Sequence, residues 1–446
     1  MLSAPFLLLV AALGLSLATI FLSQRPTAQA LFSAVVAAAV GASLLSADLF
    51  AFLELPMVGV TWGMPGRIAD AHRPVLAAWW FGLAALGPIA RWSGKPGGFF
   101  LPLAWLVAGV WQIALVGDPP IAALVAGVVA LALAAPLLAE GRGQVVLLYA
   151  VLALTLVLLA NWQNQMSIAA PTTLAHALAT TLALGISCML LSGAFPFHVW
   201  SPALQPSASP SGVALLALVL QPAALLMTEI LTQDLGLART PLGLAGLRLA
   251  GVLSLAAAAA MSFGERRLER LLSHALILDV GATLLAIGRG GAPDPALFGA
   301  MLGVRVLGVA AWSSGLATLR AGGASTTLPL TGSGLRLPLA TLAYLVGPLT
   351  IAGYPLLAGF PWRWTLMLEV GLRDPAAALA LLAALAGIGF ATFRSLTDLI
   401  TPTGEGSTLR FGDRGWPALA NLIVVTLILL SAAFPQSWTR LLGSGG

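Results

Sequence analysis

Residues 193–202 read Gly193-Ala-Phe-Pro-Phe-His-Val-Trp-Ser-Pro202, a stretch in which one glycine and two prolines interrupt membrane-level hydrophobicity. Proline removes a backbone donor and kinks a helix, so neighbours or water must satisfy the freed carbonyls. Apolar runs lie on both sides of this stretch. The pattern therefore predicts a helix that is broken inside a membrane, with His198 at the break.

The whole chain has the composition of a membrane protein. Of its 446 residues, 59% are hydrophobic and 8% are charged, and the mean hydropathy is +0.97. A soluble domain carries about 25% charged residues. Apolar runs that are long enough to span a bilayer recur with short links between them, roughly 13 to 15 in all. We predict an all-α polytopic integral membrane protein with roughly 14 transmembrane helices.

The basic charge balance does not indicate a nucleic-acid partner. The formal net charge is +5, but the 21 basic residues are spread over loops, where Lys and Arg set membrane topology. Several of the tryptophans lie near segment ends, as in an interfacial belt: Trp62, Trp92, Trp162, Trp416 and Trp438. The single cysteine, Cys188, excludes a disulfide within the chain and any multi-cysteine metal site.

A second stretch repeats the features of the first. It reads Ala352-Gly-Tyr-Pro-Leu-Leu-Ala-Gly-Phe-Pro-Trp-Arg-Trp364. Broken segments at matching places in two halves indicate an inverted-repeat transporter, and the plain alternative is that proline and glycine are frequent in membrane helices. The expected helix-break residues are Pro196, Pro202, Pro355 and Gly359.

We interpret the chain as one transmembrane domain, 1–446, with a retained first helix. Ala28-Gln-Ala30 resembles a signal-peptidase site, but no basic residue precedes the apolar run, which is long enough to span. The expected parts are N-terminal helices in 1–100, a first repeat in 101–260, a second repeat in 261–400 and a C-terminal helix in 401–446.

Three stretches resemble the antiporter-like membrane subunits of respiratory NADH:quinone oxidoreductase, multi-subunit sodium/proton antiporters and related membrane hydrogenases. Residues 196–202 are similar to the family's Pro-Phe-His-x-Trp-Leu-Pro-Asp, with Ala203 at the place of the acid. Around residues 267–287 the agreeing positions are Arg270, Leu271, Leu272, Ile277 and Gly281. Residues 352–360 are similar to Ala-Gly-Ile-Pro-Pro-x-Ala-Gly-Phe.

The chain also departs from that family. Pumping members carry a glutamate in an early helix and lysines in three later ones, whereas the one lysine here, Lys95, falls in an expected loop. Pro222 or Gln221 stands where the first family lysine would fall, and an apolar or glycine residue near Gly127 replaces the glutamate. Asp279 takes the place of a family histidine. Further departures are Glu269 and Arg363, each at the place of a lysine, and a late helix, 376–392, without an ionisable side chain.

Ionisable groups at membrane depth are costly and are therefore functional candidates. We predict proton-relay roles for His198, Glu229, Asp279 and Glu369, with Arg248, Arg305 and Arg363 as charge partners. Asp279 lies about 15 Å along a helix from Glu269, and a carboxyl in a low-dielectric site can exchange protons near neutral pH. Alternatively, Arg305 pairs with Asp279 and holds it ionised.

His198 has two interpretations, as a proton relay or as a side chain that satisfies the carbonyls freed by the break. The other histidines, His72, His176 and His274, show no ligand spacing, so we predict no metal site. The sequence also shows no cysteine cluster, haem-ligand pair or phosphate-binding glycine loop, so any redox chemistry would lie on other chains and no cofactor is expected on this one.

The resemblance implies a membrane-arm subunit that translocates protons or cations, coupled to electron transfer on other subunits. One alternative is a non-conducting structural subunit that has lost the relay, and a second is an independent secondary transporter. The expected partners are the lipid bilayer and other membrane subunits of a complex. The expected location is a bacterial inner membrane.

Overall fold

The structure is a computed structural model that describes residues 4–45, 73–92, 100–116, 143–169, 174–204, 209–234, 241–290, 295–321, 333–401, 413 and 415–436. Helices make up almost all of this part of the chain, and no strand occurs within it. Alanine, leucine and glycine supply most of the helical residues. The predicted all-α class is confirmed for the described ranges.

The described ranges contain seventeen α-helices. The first nine are α1 Ala4–Phe21, α2 Pro26–Leu45, α3 Arg73–Trp92, α4 Phe100–Val116, α5 Gly143–Ala169, α6 Leu174–Ser192, α7 Trp200–Leu204, α8 Pro210–Leu215 and α9 Gln221–Asp234. The remaining eight are α10 Pro241–Gly264, α11 Leu268–Ile287, α12 Pro295–Ala321, α13 Ser333–Arg336, α14 Pro338–Ala352, α15 Phe360–Gly371, α16 Pro375–Ile400 and α17 Gly415–Ala433.

Many of these helices match the thickness of a bilayer. Within the described residues, eight segments are long and apolar enough to cross a membrane, and five shorter apolar helices accompany them. An apolar run at 121–138 falls outside the described residues. The chain is an integral membrane protein, as predicted.

The bundle has an inner layer and an outer layer. The membrane-spanning segment Pro210–Glu229 is completely buried within the protein. By contrast, only 22% of the spanning segment Gly415–Ala433 is buried. The inner helices also include α11 and α12, whose spanning windows are each 89% buried. α11 packs against α10, α14 and α16, and α12 packs against α3 and α14. Side chains on α11 and α12 can therefore meet inside the bundle, away from lipid.

The first predicted break lies between α6 and α7. α6 ends at Ser192, Gly193 takes a positive φ of 72°, and one turn of 3₁₀ helix covers Phe197–Val199. The indole Nε1 of Trp200 donates to the Leu190 carbonyl at 3.1 Å. Because the tryptophan satisfies this carbonyl, the break does not depend on His198 for that bond.

The second predicted break lies between α14 and α15. α14 ends at Ala352, and Gly353 caps it in the left-handed region at φ 90°. Leu356 also has a positive φ, of 68°. The helix resumes at Phe360. Both sequence stretches with paired prolines and glycines thus interrupt helices, as predicted.

A third interruption follows α8. Residues Leu216–Leu220 form a π-helical turn that joins α8 to α9, and all five are buried. A π turn is wider than an α turn and is found frequently at functional sites. The sequence here is uniformly apolar, so it carries no proline or glycine to signal the change.

Glycine pairs bring the inner helices into close contact. A Cβ built on Gly281 in α11 would lie 2.9 Å from the Gly251 carbonyl oxygen in α10. On the other side of the core, a Cβ on Gly347 in α14 would lie 2.5 Å from the Gly308 oxygen in α12. Small residues at crossings let membrane helices approach each other closely. These crossings fix the spacing of α10, α11, α12 and α14.

We expect Gly347→Leu to lower the free energy of unfolding by about 1–3 kcal/mol, because the new side chain would overlap α12. Thermal unfolding in mild detergent measures the effect. Gly246→Leu on α10 is the matched control, because a Cβ there meets nothing within 4 Å. Equal unfolding temperatures for the two variants would contradict this account of the crossing.

The tryptophans divide between the surface and the core. Trp162 and Trp416 are 57% and 77% exposed, in keeping with the predicted interfacial positions. Trp62, Trp438 and the side chain of Trp92 lie outside the described part. Six others among the described residues are buried: Trp79, Trp80, Trp105, Trp111, Trp200 and Trp312. The division into two inverted repeats stays a prediction.

Candidate functional site

The chain path gives the bundle two ends, which we name by their links. The short link at Glu265 joins α10 to α11, and α11 finishes at Gly288 on the opposite side. α9 ends six residues before α10 begins, so α9 finishes at the Gly288 end. The pairing of Glu369 with Arg289 shows that α15 finishes there too.

Asp279 lies near the middle of α11. It is 11 residues beyond the start of the helix, which corresponds to about 16 Å from the Glu265 end. The residue is 6% exposed. Its neighbour Gly281 is the point at which α10 crosses α11. A carboxylate at this depth needs charged or hydrogen-bonding partners.

Arg305 of α12 provides the first partner. Its Nε donates to Asp279 Oδ2 at 2.7 Å, and its Nη2 lies 2.5 Å from the same oxygen. Its Nη1 donates to the Ala217 carbonyl at 3.3 Å. Ala217 belongs to the π-helical turn. Arg305 therefore links Asp279 to the interruption between α8 and α9.

Arg363 of α15 provides the second partner. Its Nη2 donates to Asp279 Oδ1 and also to the Ile351 carbonyl, the latter at 3.3 Å. Ile351 lies in the last turn of α14, directly before the break. Two arginines, Arg305 on the continuous helix α12 and Arg363 on α15 after the second break, thus hold one carboxylate, each through one of its oxygens.

The three side chains form what we name the central ion cluster: Asp279, Arg305 and Arg363. Arginine keeps its charge at any working pH, so the cluster carries one net positive charge when the carboxylate is ionised. Arg305 and Arg363 are 2% and 5% exposed. The ion pair between Asp279 and Arg305, one of the two possibilities that the sequence left open, is present. The relay role of Asp279 stays a prediction.

A small cavity lies beside the cluster. Its volume is about 20 Å³, enough for about one water molecule. The lining residues are Pro222, Leu225, Asp279, Thr283, Phe298, Met301, Leu302 and Arg305. Gln221, next to Pro222, is 1% exposed, and neither polar atom of its amide has a hydrogen-bond partner in the part of the chain that the structure describes. Ordered water is the usual partner for such groups.

His198 lies in the 3₁₀ turn of the first break and is 9% exposed. Its ring stacks on Phe195 with centroids 5.5 Å apart. Its Nδ1 is buried without a hydrogen-bond partner among the described residues. The chain therefore leaves one nitrogen of this imidazole available for water or a proton.

Two predicted relay residues occupy the Gly288 half of the bundle. Glu229 is 9% exposed in α9 and lies 19 residues after Pro210, about 28 Å along the path from the Glu265 end. Glu369 has a side chain 47% exposed and pairs with Arg289. Glu369 is thus separate from the central ion cluster.

Arg248 also lies away from the cluster. The residue is exposed on α10, and its Cγ would meet a Cβ built on Gly288 at 2.8 Å. It belongs to the Gly288 end of the bundle and does not neighbour Asp279. Helices that are apolar on every side give no pattern from which such exposure could be read.

The structure adds two ionisable residues that the sequence reasoning missed. His274 in α11 is fully buried, and its Nε2 lies 3.1 Å from Glu265 Oε2. Glu265 sits in the link before the helix, nine residues earlier. The charged run around 265–270 was visible, but nothing in it indicated a contact with a histidine inside the membrane span.

No group of three histidine, cysteine, aspartate or glutamate side chains that could hold a metal ion occurs in the described residues.

No family model matches the chain. NADH-quinone oxidoreductase subunit N of Rhodopseudomonas palustris (strain BisA53) is 31% identical over 185 residues, which cover 40% of each chain. Formate hydrogenlyase subunit 3 of Escherichia coli (strain K12) is 30% identical over 191 residues, 40% of this chain and 31% of that protein. Over 40% of its length the chain is thus similar to one subunit of an NADH-quinone oxidoreductase and to one subunit of a formate hydrogenlyase. The matches span less than half of the length of either relative.

Solved structures share the fold of this chain over nearly its whole length. A chain of the membrane-bound sulfane sulfur reductase, an archaeal respiratory membrane complex, gives a TM-score of 0.76 at 16% identity, covering 98% of this chain and 96% of its own. A chain of the Mrp complex from Dietzia sp. DQ12-45-1b gives 0.75 at 14%, with the same coverages. A chain of respiratory complex I from Thermus thermophilus with bound NADH gives 0.69 at 18%, covering 97% of both.

Proposed function

We propose that this chain is a membrane-arm subunit of an energy-coupling complex and translocates protons or other cations when its partners drive it. The observation that carries the proposal is the central ion cluster, in which Asp279 joins two interrupted helices through Arg305 and Arg363. The relatives support it, because NADH-quinone oxidoreductase subunit N and formate hydrogenlyase subunit 3 are named as subunits of redox complexes.

The cluster can work as an electrostatic gate. While both guanidinium groups touch Asp279, its carboxylate is neutralised and an approaching cation meets a net positive charge. If either arginine withdraws, the carboxylate becomes available to a proton or cation. Each arginine also donates to a carbonyl at an interruption, Ala217 for Arg305 and Ile351 for Arg363. Such places absorb backbone rotation in domain movements. A partner that shifts α9 or α15 would thereby open the gate.

Ionisable and polar groups lie on both sides of the gate. His198 and His274 occupy the Glu265 half, and Glu229 occupies the Gly288 half. Gln221 and the cavity lie next to the cluster. Water in the cavity and at the Gln221 amide would connect the halves to Asp279. The route thus replaces the buried lysines of pumping relatives with one aspartate, two histidines and a glutamate.

We propose that the redox step lies on partner subunits and that this chain carries no cofactor. We propose no chemical reaction on this chain. The partners would be other membrane subunits of the complex, and the location a bacterial inner membrane.

The second candidate is a non-conducting structural subunit. The contacts of Asp279 with two arginines favour this structural candidate. A buried charge held by two fixed partners is stable without any proton exchange. The remaining candidate, an independent secondary transporter, would use the broken helices to bind a solute.

Reconstitution of the intact complex into sealed vesicles decides between conduction and structure. With the electron donor supplied, a pH-sensitive dye inside the vesicles should record proton movement that an uncoupler collapses. Vesicles containing a complex from which this subunit is deleted provide the comparison. Equal proton movement with and without the subunit would support the structural candidate.

A further inference from the structure

The Glu265 end of α11 carries a second set of ionisable groups, apart from the central ion cluster. His274 lies five residues before Asp279, about 7.5 Å along the helix axis. It is fully buried, and its Nε2 is 3.1 Å from Glu265 Oε2. A buried histidine joined to a carboxylate is a typical arrangement for moving a proton.

Glu265 is held firmly in an ionised form. Its Oε1 accepts the backbone N–H groups of Arg266 and Arg267, each at 2.9 Å. Partial burial raises the pKa of Glu265, but the bonds from His274 and from these two backbone groups outweigh burial and bring the pKa to about 2. The carboxylate therefore orients the His274 ring with Nε2 toward it.

The other nitrogen of His274 faces the protein interior unpaired. Its Nδ1 is buried without a hydrogen-bond partner in the described part of the chain, and so is Nδ1 of His198. The two rings are close enough to interact electrostatically. The segments that carry them are tied by a hydrogen bond between Ser201 Oγ and Ser273 Oγ at 3.2 Å. One water between the rings would satisfy both nitrogens.

We infer that Glu265, His274 and His198 form a proton-binding unit, through which protons pass between the water at the Glu265 end and the first broken helix. The passage rests on the proposed function. The Glu265 carboxylate accepts the Nε2–H of His274 and stays ionised throughout. In the outward direction, His274 Nδ1 accepts a proton from a water on the His198 side and gives it up to a water on the side of the Glu265 end. One proton enters the ring at Nδ1 and one leaves from it, and Nε2 keeps its proton.

Other charged groups lie next to this unit and contribute to the electrostatic potential at it. Arg270 Nη1 lies 3.7 Å from Glu265 Oε2. Arg266 and Arg267 belong to the same link, and Arg394 of α16 donates to the Phe263 carbonyl at 3.1 Å. Among the described residues, α14 brings no charged side chain to α11, and α9 brings Glu229, which lies toward the Gly288 end.

Two measurements on the complete complex test the unit. The first is nitrogen NMR of ¹⁵N-histidine-labelled complex in bilayers, in which His274→Gln and His198→Gln assign the signals among the four histidines of the chain. Glu265→Gln should change the Nε2 signal of His274, because it removes the carboxylate that contacts this nitrogen. His198→Gln should change the Nδ1 signal of His274.

The second measurement is proton flux in sealed vesicles. His274→Gln keeps a donor for Glu265 but cannot carry a proton, so flux should fall at least about 10-fold, a barrier change of about 1.4 kcal/mol. His176→Gln, the same substitution in α6, is the matched control and should leave flux unchanged. A drop limited to His274→Gln supports the inference.

The outcomes separate the inference from the proposed function. Normal flux in His274→Gln, with flux in wild type, overturns the inference and leaves the proposed function intact. Absence of flux in wild type overturns conduction, and the nitrogen NMR then decides: a His274 signal that changes in both Glu265→Gln and His198→Gln supports the proton-binding unit. A His274 signal that responds to neither variant overturns it.

Discussion

Asp279→Asn should lower driven proton or cation flux to about a tenth of the wild-type rate or less, since a barrier rise of about 1.4 kcal/mol is enough. Asparagine keeps the size of the side chain and accepts a hydrogen bond, but it removes the negative charge. Arg305 and Arg363 would then place two uncompensated positive charges beside the route. The measurement is dye-recorded flux in vesicles that contain the intact complex.

Asp279→Glu is the matched control for this prediction. It keeps the negative charge and moves the carboxylate by one methylene group, so a substantial part of the flux should remain. Electron transfer by the complex, measured with an uncoupler present, shows whether each variant has assembled. Flux at the wild-type level in assembled Asp279→Asn would rule out Asp279 as part of the conduction site and would favour the structural candidate.

Asp279→Leu should lower the free energy of unfolding by about 3–5 kcal/mol, the usual cost of leaving a buried ion without its partner. Two guanidinium groups would remain inside the bundle, each 6% exposed or less. The measurement is thermal unfolding of the subunit in mild detergent. The expected loss is larger than that from Gly347→Leu, which changes packing alone.

A compensated variant makes the stability prediction specific to charge. Asp279→Leu combined with Arg305→Met and Arg363→Met replaces the cluster by apolar groups of similar size, and such replacements are often neutral. It should recover much of the lost stability. Recovery should stay incomplete, because the carbonyls of Ala217 and Ile351 lose their donors. A triple variant that is less stable than Asp279→Leu would contradict this explanation.

The membrane class and two helix breaks could be predicted from the sequence because their physical causes are local. Proline and glycine interrupt helices wherever they cluster, and long apolar runs span bilayers regardless of their neighbours. The π-helical turn at Leu216–Leu220 has no such local cause. Its residues are buried on every side, so no periodic pattern marks the extra residue in the turn.

Only one of the two contacts in the central ion cluster was stated as a pairing from the sequence. Arg305 follows Asp279 by 26 residues, on the next helix, and their pairing was one of two stated possibilities. Arg363 follows by 84 residues. Its contact depends on where the second break places the start of α15, which no single segment encodes. The predicted partner Arg248 illustrates the reverse case, since it is exposed.

His274 shows a further limit of the sequence. Its partner Glu265 precedes the first turn of α11, nine residues away, so helical spacing does not bring the two together. The contact arises because the link between α10 and α11 folds back over the helix start, where the backbone N–H groups of Arg266 and Arg267 hold the carboxylate.

The most direct test of the central claim is extraction of the chain from its native membrane in mild detergent, followed by identification of the proteins that co-purify. We predict a stable assembly in which redox or antiporter subunits accompany this chain in fixed stoichiometry. A monodisperse protein without partners would contradict a membrane-arm role and would favour an independent transporter.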